Sequence, residues 1–271
     1  MLGLQLPPWV PINISTMKTA VLIHGQPRFT RCTTELFAKF PGHEQVDWFM
    51  YLWEKTIPDP RGWQLVAPVW QDITQEFVSE QWTNRLPSNH VIQSCVVVPT
   101  DVVEVPEFTE VSVETLVVGS YLQFWTLHQC DLLRRAHEQA HGEYDVVIKI
   151  RPDCRMAPDF SAERIYTQVT SAAPLTIWTS KLNRWGHKGQ INDQFALGSS
   201  AAMIAYSDCV LHIQQYHDAG VRFHPETILA HHVAQQQLTD CSDEYTIELR
   251  PYARQHNDCM IDDFADWDTI L

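Results

Sequence analysis

Apolar and polar positions along this chain follow two periods in turn. Short apolar runs rich in β-branched and aromatic residues recur at Thr19 to His24, Val46 to Trp53, Leu65 to Trp70, Val91 to Val98, Asp145 to Arg151, Leu175 to Thr179, Gln194 to Leu197 and Tyr245 to Leu249, and each predicts a strand. Helical spacing lies between them, at Arg31 to Phe40, Asp72 to Trp82, Ser120 to His141, Ser199 to His217 and Pro225 to Leu238, the last opening with proline at the first helical position. The early strands are continuous apolar runs separated by long crossovers, which predicts an α/β fold whose mainly parallel central sheet is flanked by helices on both faces.

The helix from Ser120 has the sharpest pattern. Tyr121, Leu122, Trp125, Leu132, Leu133, Ala136 and Ala140 fall on one predicted face, Ser120 offers a cap, and Gly142 a stop. The stretch Pro99 to Glu114 carries Asp101, Glu104, Glu107, Glu110 and Glu114 and reads as an extended surface connection. Without repeats or a long linker, the chain reads as one continuous domain whose halves, 17–155 and 156–271, meet after the strand ending at Arg151, with an acidic C-terminal tail. Residues 1–16 are Pro-rich and read as a leader outside the fold, because Met17-Lys18 stands directly before the first strand.

Composition narrows the partners. The 271 residues carry 33 acids against 19 bases, a formal charge of -14, which argues against wrapping a nucleic-acid polymer. No apolar run approaches the length of a transmembrane segment. The first residues lack the basic, unbroken apolar pattern of a secretion signal, and the seven cysteines are scattered without any C-x-x-C pair, as in a reduced compartment. The expectation is a cytoplasmic protein.

Candidate chemistry gathers at three places. His24-Gly25-Gln26-Pro27-Arg28 falls where the first strand gives way to a helix, and ligands of open parallel sheets bind beyond such carboxyl ends. Gly25 permits close backbone approach there, and Arg28 offers a fork of donors to phosphate or carboxylate. The strand Tyr144 to Ile150 runs into Arg151-Pro152-Asp153-Cys154-Arg155, which would present a carboxylate between cations. Asn192-Asp193-Gln194 stands just before an apolar run, where one carboxylate between two amides could orient a sugar hydroxyl, act as a general base, or simply form an Asx turn. Separately, His137-Glu138-Gln139-Ala140-His141 matches the zinc-hydrolase pattern H-E-x-x-H, but the helix stops at Gly142 and no third ligand follows.

In order and spacing, Gly25-Gln26-Pro27-Arg28, Tyr144 to Asp153, Asn192 to Ser199 and His224-Pro225-Glu226 together resemble a glycosyltransferase group of GT-A-like, Rossmann-like fold, found in bacterial polysaccharide clusters, phages and large viruses. The resemblance spans roughly residues 17–238. It implies transfer of a sugar from a nucleotide-diphosphate donor, a UDP- or GDP-sugar, to a saccharide acceptor. Gly25, Gln26, Arg28, Lys149, Arg151, Asp153 and Arg155 would bind the donor, and Trp185, Asn192 and Gln194 the acceptor. Asp193 is the first candidate for the catalytic base and Glu226 the second. Enzymes of this kind usually hold Mn²⁺ or Mg²⁺ through Asp-x-Asp; here the motif reads Asp153-Cys154-Arg155, leaving Asp153 as the single metal-ligand candidate. Two other classes compete: a zinc-dependent hydrolase built on His137 and His141, and a non-catalytic glycan-binding module using Trp178 and Trp185 as stacking platforms.

Overall fold

The computed structural model describes residues 17–26, 45–55, 73–84, 86–108, 114–152, 154–156, 161–181, 189–241 and 247–249. The predicted helix Arg31 to Phe40, the predicted strand Leu65 to Trp70, the leader and the acidic tail lie outside these. The strands are β1 (Thr19–Gly25), β2 (Val46–Trp53), β3 (His90–Val98), β4 (Val146–Ile150), β5 (Cys154–Met156), β6 (Thr176–Thr179), β7 (Phe195–Gly198), β8 (Thr239–Asp240) and β9 (Ile247–Leu249). The described α-helices are α1 (Gln75–Thr83), α2 (Glu114–His141), α3 (Ala162–Ser171), α4 (Ser200–Ser207), α5 (Ile213–Asp218) and α6 (Pro225–Gln235), with a 3₁₀ turn at Asp208–His212 between α4 and α5.

Seven strands form one mostly parallel mixed sheet in the order β3-β2-β1-β4-β7-β6-β8, and β5 pairs with β9 in a second ladder. The fold is α/β, as the long apolar runs predict: β1, β2 and β4 are buried along almost their whole length because helices cover both faces. On one face Val21, Ile23, Trp48, Met50, Ile148 and Ile150 pack with Val78 and Trp82 of α1 and Ile165 and Tyr166 of α3. On the other, Ala20, Leu22, Phe49 and Val147 pack with Phe124, Leu127 and Cys130 of α2 and with α4 and α6. The buried thiols Cys95, Cys130 and Cys209 are not in disulfides.

Strand β7 runs antiparallel to both β4 and β6. Its amino end therefore lies at the same edge of the sheet as the carboxyl ends of β1 and β4. Gly198 closes β7 where there is no room for a side chain: a Cβ would stand 3.0 Å from the Thr176 carbonyl oxygen and 3.2 Å from Ala202 Cβ. Ser199 then caps α4 by accepting from the Ala202 amide.

Three expectations are corrected. Helix α2 starts at Glu114, so Ser120 is a buried interior residue rather than a cap, although Gly142 does stop the helix with φ +85°. The predicted apolar stripe is also displaced. Leu132 is 40% exposed and Ala136 and Ala140 are exposed, whereas Leu127, Asp131 and Arg134 are buried. Charge occupies these core positions because Arg134 pairs at 2.6 Å with both Asp131 and Glu138, and Arg135 bridges Asp131 to Asp208. Finally, α3 is a helix beyond those predicted; Ser161 caps it by accepting from the Arg164 amide. Among the described residues no helix is long and apolar enough to cross a membrane.

Candidate active site

The site is built where β1, β4 and β7 meet at one edge. Strand β1 ends in His24 and Gly25, and Gly25 turns the chain at φ +92°, a conformation that a Cβ disfavours. In the parallel register Leu22 lies opposite Lys149, and both face α2. Lys149 is buried, at 1% exposure, and its Nζ donates to the carbonyl oxygen of Asp193. The Arg151 amide donates to the Gln194 carbonyl at 3.0 Å, so two bonds fasten the end of β4 to the segment leading into β7.

That segment is an Asx turn: Asn192 Oδ1 accepts from the Gln194 amide at 2.9 Å, while Asn192 Nδ2 donates to the Lys181 carbonyl. Asn192 thus shapes the loop. The turn directs the Asp193 carboxylate toward α2, where Gln123 Nε2 donates to Asp193 Oδ2 at 2.5 Å. Glu226, in the first turn of α6, stands at the same place. Its backbone carbonyl accepts from the Ile191 amide, and Gln190 donates to Thr227 next to it. Burial, and then the negative charge of Asp193, push the Glu226 carboxyl up to about 7. Burial chiefly, with Asp193 next, also holds the Tyr206 phenol well above its ordinary value.

His24 completes the cluster. Its Nδ1 lies 3.1 Å from Thr126 Oγ1, and burial, followed by the charges of Lys149 and Arg151, keeps the imidazole far below its ordinary value and therefore neutral. The arrangement is two carboxylates, one poised near neutrality, beside two cations and a neutral imidazole at the binding edge of a mostly parallel sheet. Such a set can move a proton and hold an anion.

Of the residues expected here, Gly25, Gln26, Lys149, Arg151, Asn192, Asp193, Gln194 and Glu226 belong to this edge. Arg28, Asp153, the Arg155 side chain and Trp185 lie outside the described residues. Gln123, Thr126 and Tyr206 join the site without having been singled out for it, and His24, noted only as the first residue of its motif, joins with a role of its own. The signal for two of them was legible, since Gln123 and Thr126 are polar, three apart, and next to the apolar positions Leu122 and Trp125 of α2. Among the described residues, no group of three or more His, Cys, Asp or Glu could hold a metal ion; Asp153, the expected ligand of the divalent cation, lies outside them.

The H-E-x-x-H residues lie elsewhere, around the start of β4. Glu138 accepts from the Tyr144 amide and Ser200 Oγ and pairs with Arg134, so its carboxylate is committed to structure. His137 bonds the Tyr144 hydroxyl, which donates to Asp47, and stacks on His141 at 4.2 Å. Trp178, offered as a glycan platform, is buried within the core. No protein-family model matches the chain, and no curated protein matches it in sequence.

Proposed function

We propose that this protein is a glycosyltransferase of GT-A type, moving a sugar from a UDP- or GDP-linked donor to a saccharide acceptor in glycan or polysaccharide synthesis. The observation that carries the reading is the Asp193–Glu226 carboxylate pair, one member raised to about 7, set beside Lys149 and Arg151 at the carboxyl edge of β1 and β4.

In the reaction an acceptor hydroxyl oxygen forms a bond to the anomeric carbon while the bond from that carbon to the donor diphosphate breaks, its electron pair leaving on the diphosphate. The hydroxyl proton passes to Glu226. This carboxylate is the better base of the two, because it titrates near neutral pH and is only half-buried, whereas Asp193 is buried and its Oδ2 is occupied by Gln123. Asp193 raises Glu226 and orients the hydroxyl. Arg151 and the Gly25 turn meet the departing diphosphate, and Lys149 acts on it through its charge while holding the Asp193 backbone.

The reading is tested by a thermal-shift panel of UDP-, GDP-, CMP- and dTDP-sugars with and without Mn²⁺, followed by transfer assays of Glu226→Gln and Asp193→Asn. A ligand of the folded state raises its melting temperature. Stabilisation by one donor class, with transfer lost in both variants and donor binding kept, is expected; no response to any nucleotide sugar would remove the proposal.

A further inference from the structure

At the end of β1 a buried imidazole has one nitrogen accounted for and one not. His24 is 3% exposed, its Nδ1 faces Thr126 Oγ1, and its Nε2 has no hydrogen-bond partner among the described residues. The tautomer follows from Thr126, whose hydroxyl has a single proton and lies 3.0 Å from the carbonyls of both Leu122 and Gln123, the back-bonding open to a helical threonine. With that proton on a helix carbonyl, Thr126 accepts from His24. The ring proton is then on Nδ1, and Nε2 carries a bare lone pair. Burial, and then the positive charges of Lys149 and Arg151, disfavour the doubly protonated ring, so that one lone pair is kept.

The surroundings say what reaches this lone pair. In the parallel register His24 lies opposite Tyr51 of β2, on the face that carries α2. The Tyr51 ring meets Trp125 edge-on at 5.5 Å, and Trp53 stacks behind Trp125 at 5.7 Å. Tyr51 and Trp125 are half-buried. Strand β1 has β2 on one side and β4 on the other, so His24 stands between an aromatic wall and the two cations of β4. A nucleotide with its phosphates toward Arg151 and its nucleoside toward Tyr51 and Trp125 passes over His24.

We infer that His24 Nε2 accepts a hydrogen bond from the nucleoside of the sugar donor, either a base N–H or a ribose hydroxyl, with Tyr51 and Trp125 walling that nucleoside. This rests on the donor reading above. His24 is then a residue that selects for a neutral donor group.

The test uses the full chain and the tighter-binding of UDP and GDP, with the 2′-deoxy, 3′-deoxy and ring-N-methyl analogues of that nucleotide, titrated by calorimetry into wild type, His24→Gln and His24→Phe. One analogue is expected to bind wild type roughly tenfold more weakly, as loss of one neutral hydrogen bond in a desolvated site implies. That ratio should collapse toward one in His24→Phe and be partly kept in His24→Gln, whose amide oxygen reaches a similar position. The deoxy and N-methyl arms separate ribose from base. Equal analogue ratios in wild type and His24→Phe overturn the inference and leave Nε2 to an ordered water, while wild-type binding of neither UDP nor GDP overturns the donor reading and this inference with it. Should His24→Phe fail to fold, His24→Leu removes the acceptor in its place, and an unchanged analogue ratio in that variant is equally fatal.

Discussion

Gln123 and Asp193, seventy residues apart, are joined by one hydrogen bond from the side-chain amide to the carboxylate, and through it the long helix α2 fixes the carboxylate that raises Glu226. Gln123→Leu should therefore do two things. It leaves the buried Asp193 carboxylate short of a donor, costing about 1–3 kcal/mol in a denaturant titration, and it frees the side chain to turn away from the acceptor. Transfer should fall by about ten- to a hundredfold in kcat, with the affinity for the nucleotide unchanged. A variant that loses stability but keeps kcat would show that the bond serves only the fold.

The pH dependence has a definite sign. The Glu226 carboxyl is raised from 4.5 to about 7 in the folded protein, so between those values the native state binds more protons than the unfolded one. Stability from this group is complete below pH 4.5 and is lost as pH rises through about 7, by on the order of 1–2 kcal/mol once solvent screening of a half-exposed group is allowed for. Glu226→Gln should flatten that part of the stability profile. Activity runs the other way, because the base is the ionised form: kcat/KM should climb through about pH 7, and the inflection should move down in Asp193→Asn if residual transfer remains measurable.

The ion network of α2 predicts a contrast. Arg134 is wholly buried and holds both Asp131 and Glu138, so Arg134→Met leaves Asp131 to Arg135 and Glu138 to the neutral Tyr144 amide and Ser200 hydroxyl, and should cost about 3–5 kcal/mol. His141→Ala removes an exposed ring whose partner is only the neighbouring imidazole, and should change stability by less than about 0.5 kcal/mol. Zinc retained at stoichiometric level by wild type and lost by His141→Ala would restore the hydrolase reading.

The same network explains what was and was not legible in the sequence. Strands β1, β2 and β4 were readable because a doubly covered parallel strand has no polar side, and α6 because Pro225 marks its start. The face of α2 was misread because apolarity was taken as the sign of burial, while Asp131 and Arg134 are buried as a pair and Leu132 is left outside. Helix α3 was legible too: its buried residues Ala162, Ile165, Tyr166 and Val169 stand at i, i+3, i+4 and i+7 behind the Ser161 cap, and only its ten-residue length makes the pattern easy to pass over. Asp193 and Glu226 stood out as carboxylates beside turns. His24 did not, because its role depends on which atoms Thr126 and two cations bring to it, and spacing along the chain does not encode that.

Two glycines should respond differently to the same change. Gly198→Ala forces a Cβ against the Thr176 carbonyl and Ala202 and should destabilise by about 1–3 kcal/mol with nucleotide affinity unaltered in the folded fraction. Gly25→Ala has room for its methyl group, with Thr126 Oγ1 nearest at 3.9 Å, but places a Cβ on a residue at φ +92° and should cost about 1–2 kcal/mol. Because that residue follows His24 directly, nucleotide binding should weaken as well. Melting curves and titrations on both variants separate the effects.

Strand β7 also limits how this protein could be recombined. It comes from the second half of the chain, runs against its neighbours, and is inserted between β4 of the first half and β6 of its own. Asp193 and Gln194 reach the sheet edge by way of a strand threaded through the middle of the sheet, with Lys149 and Arg151 as their anchors. A chimera that exchanges the second half for that of another protein must match backbone register on both sides of β7 as well as the side chains at the sheet edge. Under the glycosyltransferase reading, acceptor preference is therefore better altered by substitutions in the turn before β7 and at the start of α6 than by swapping half of the chain.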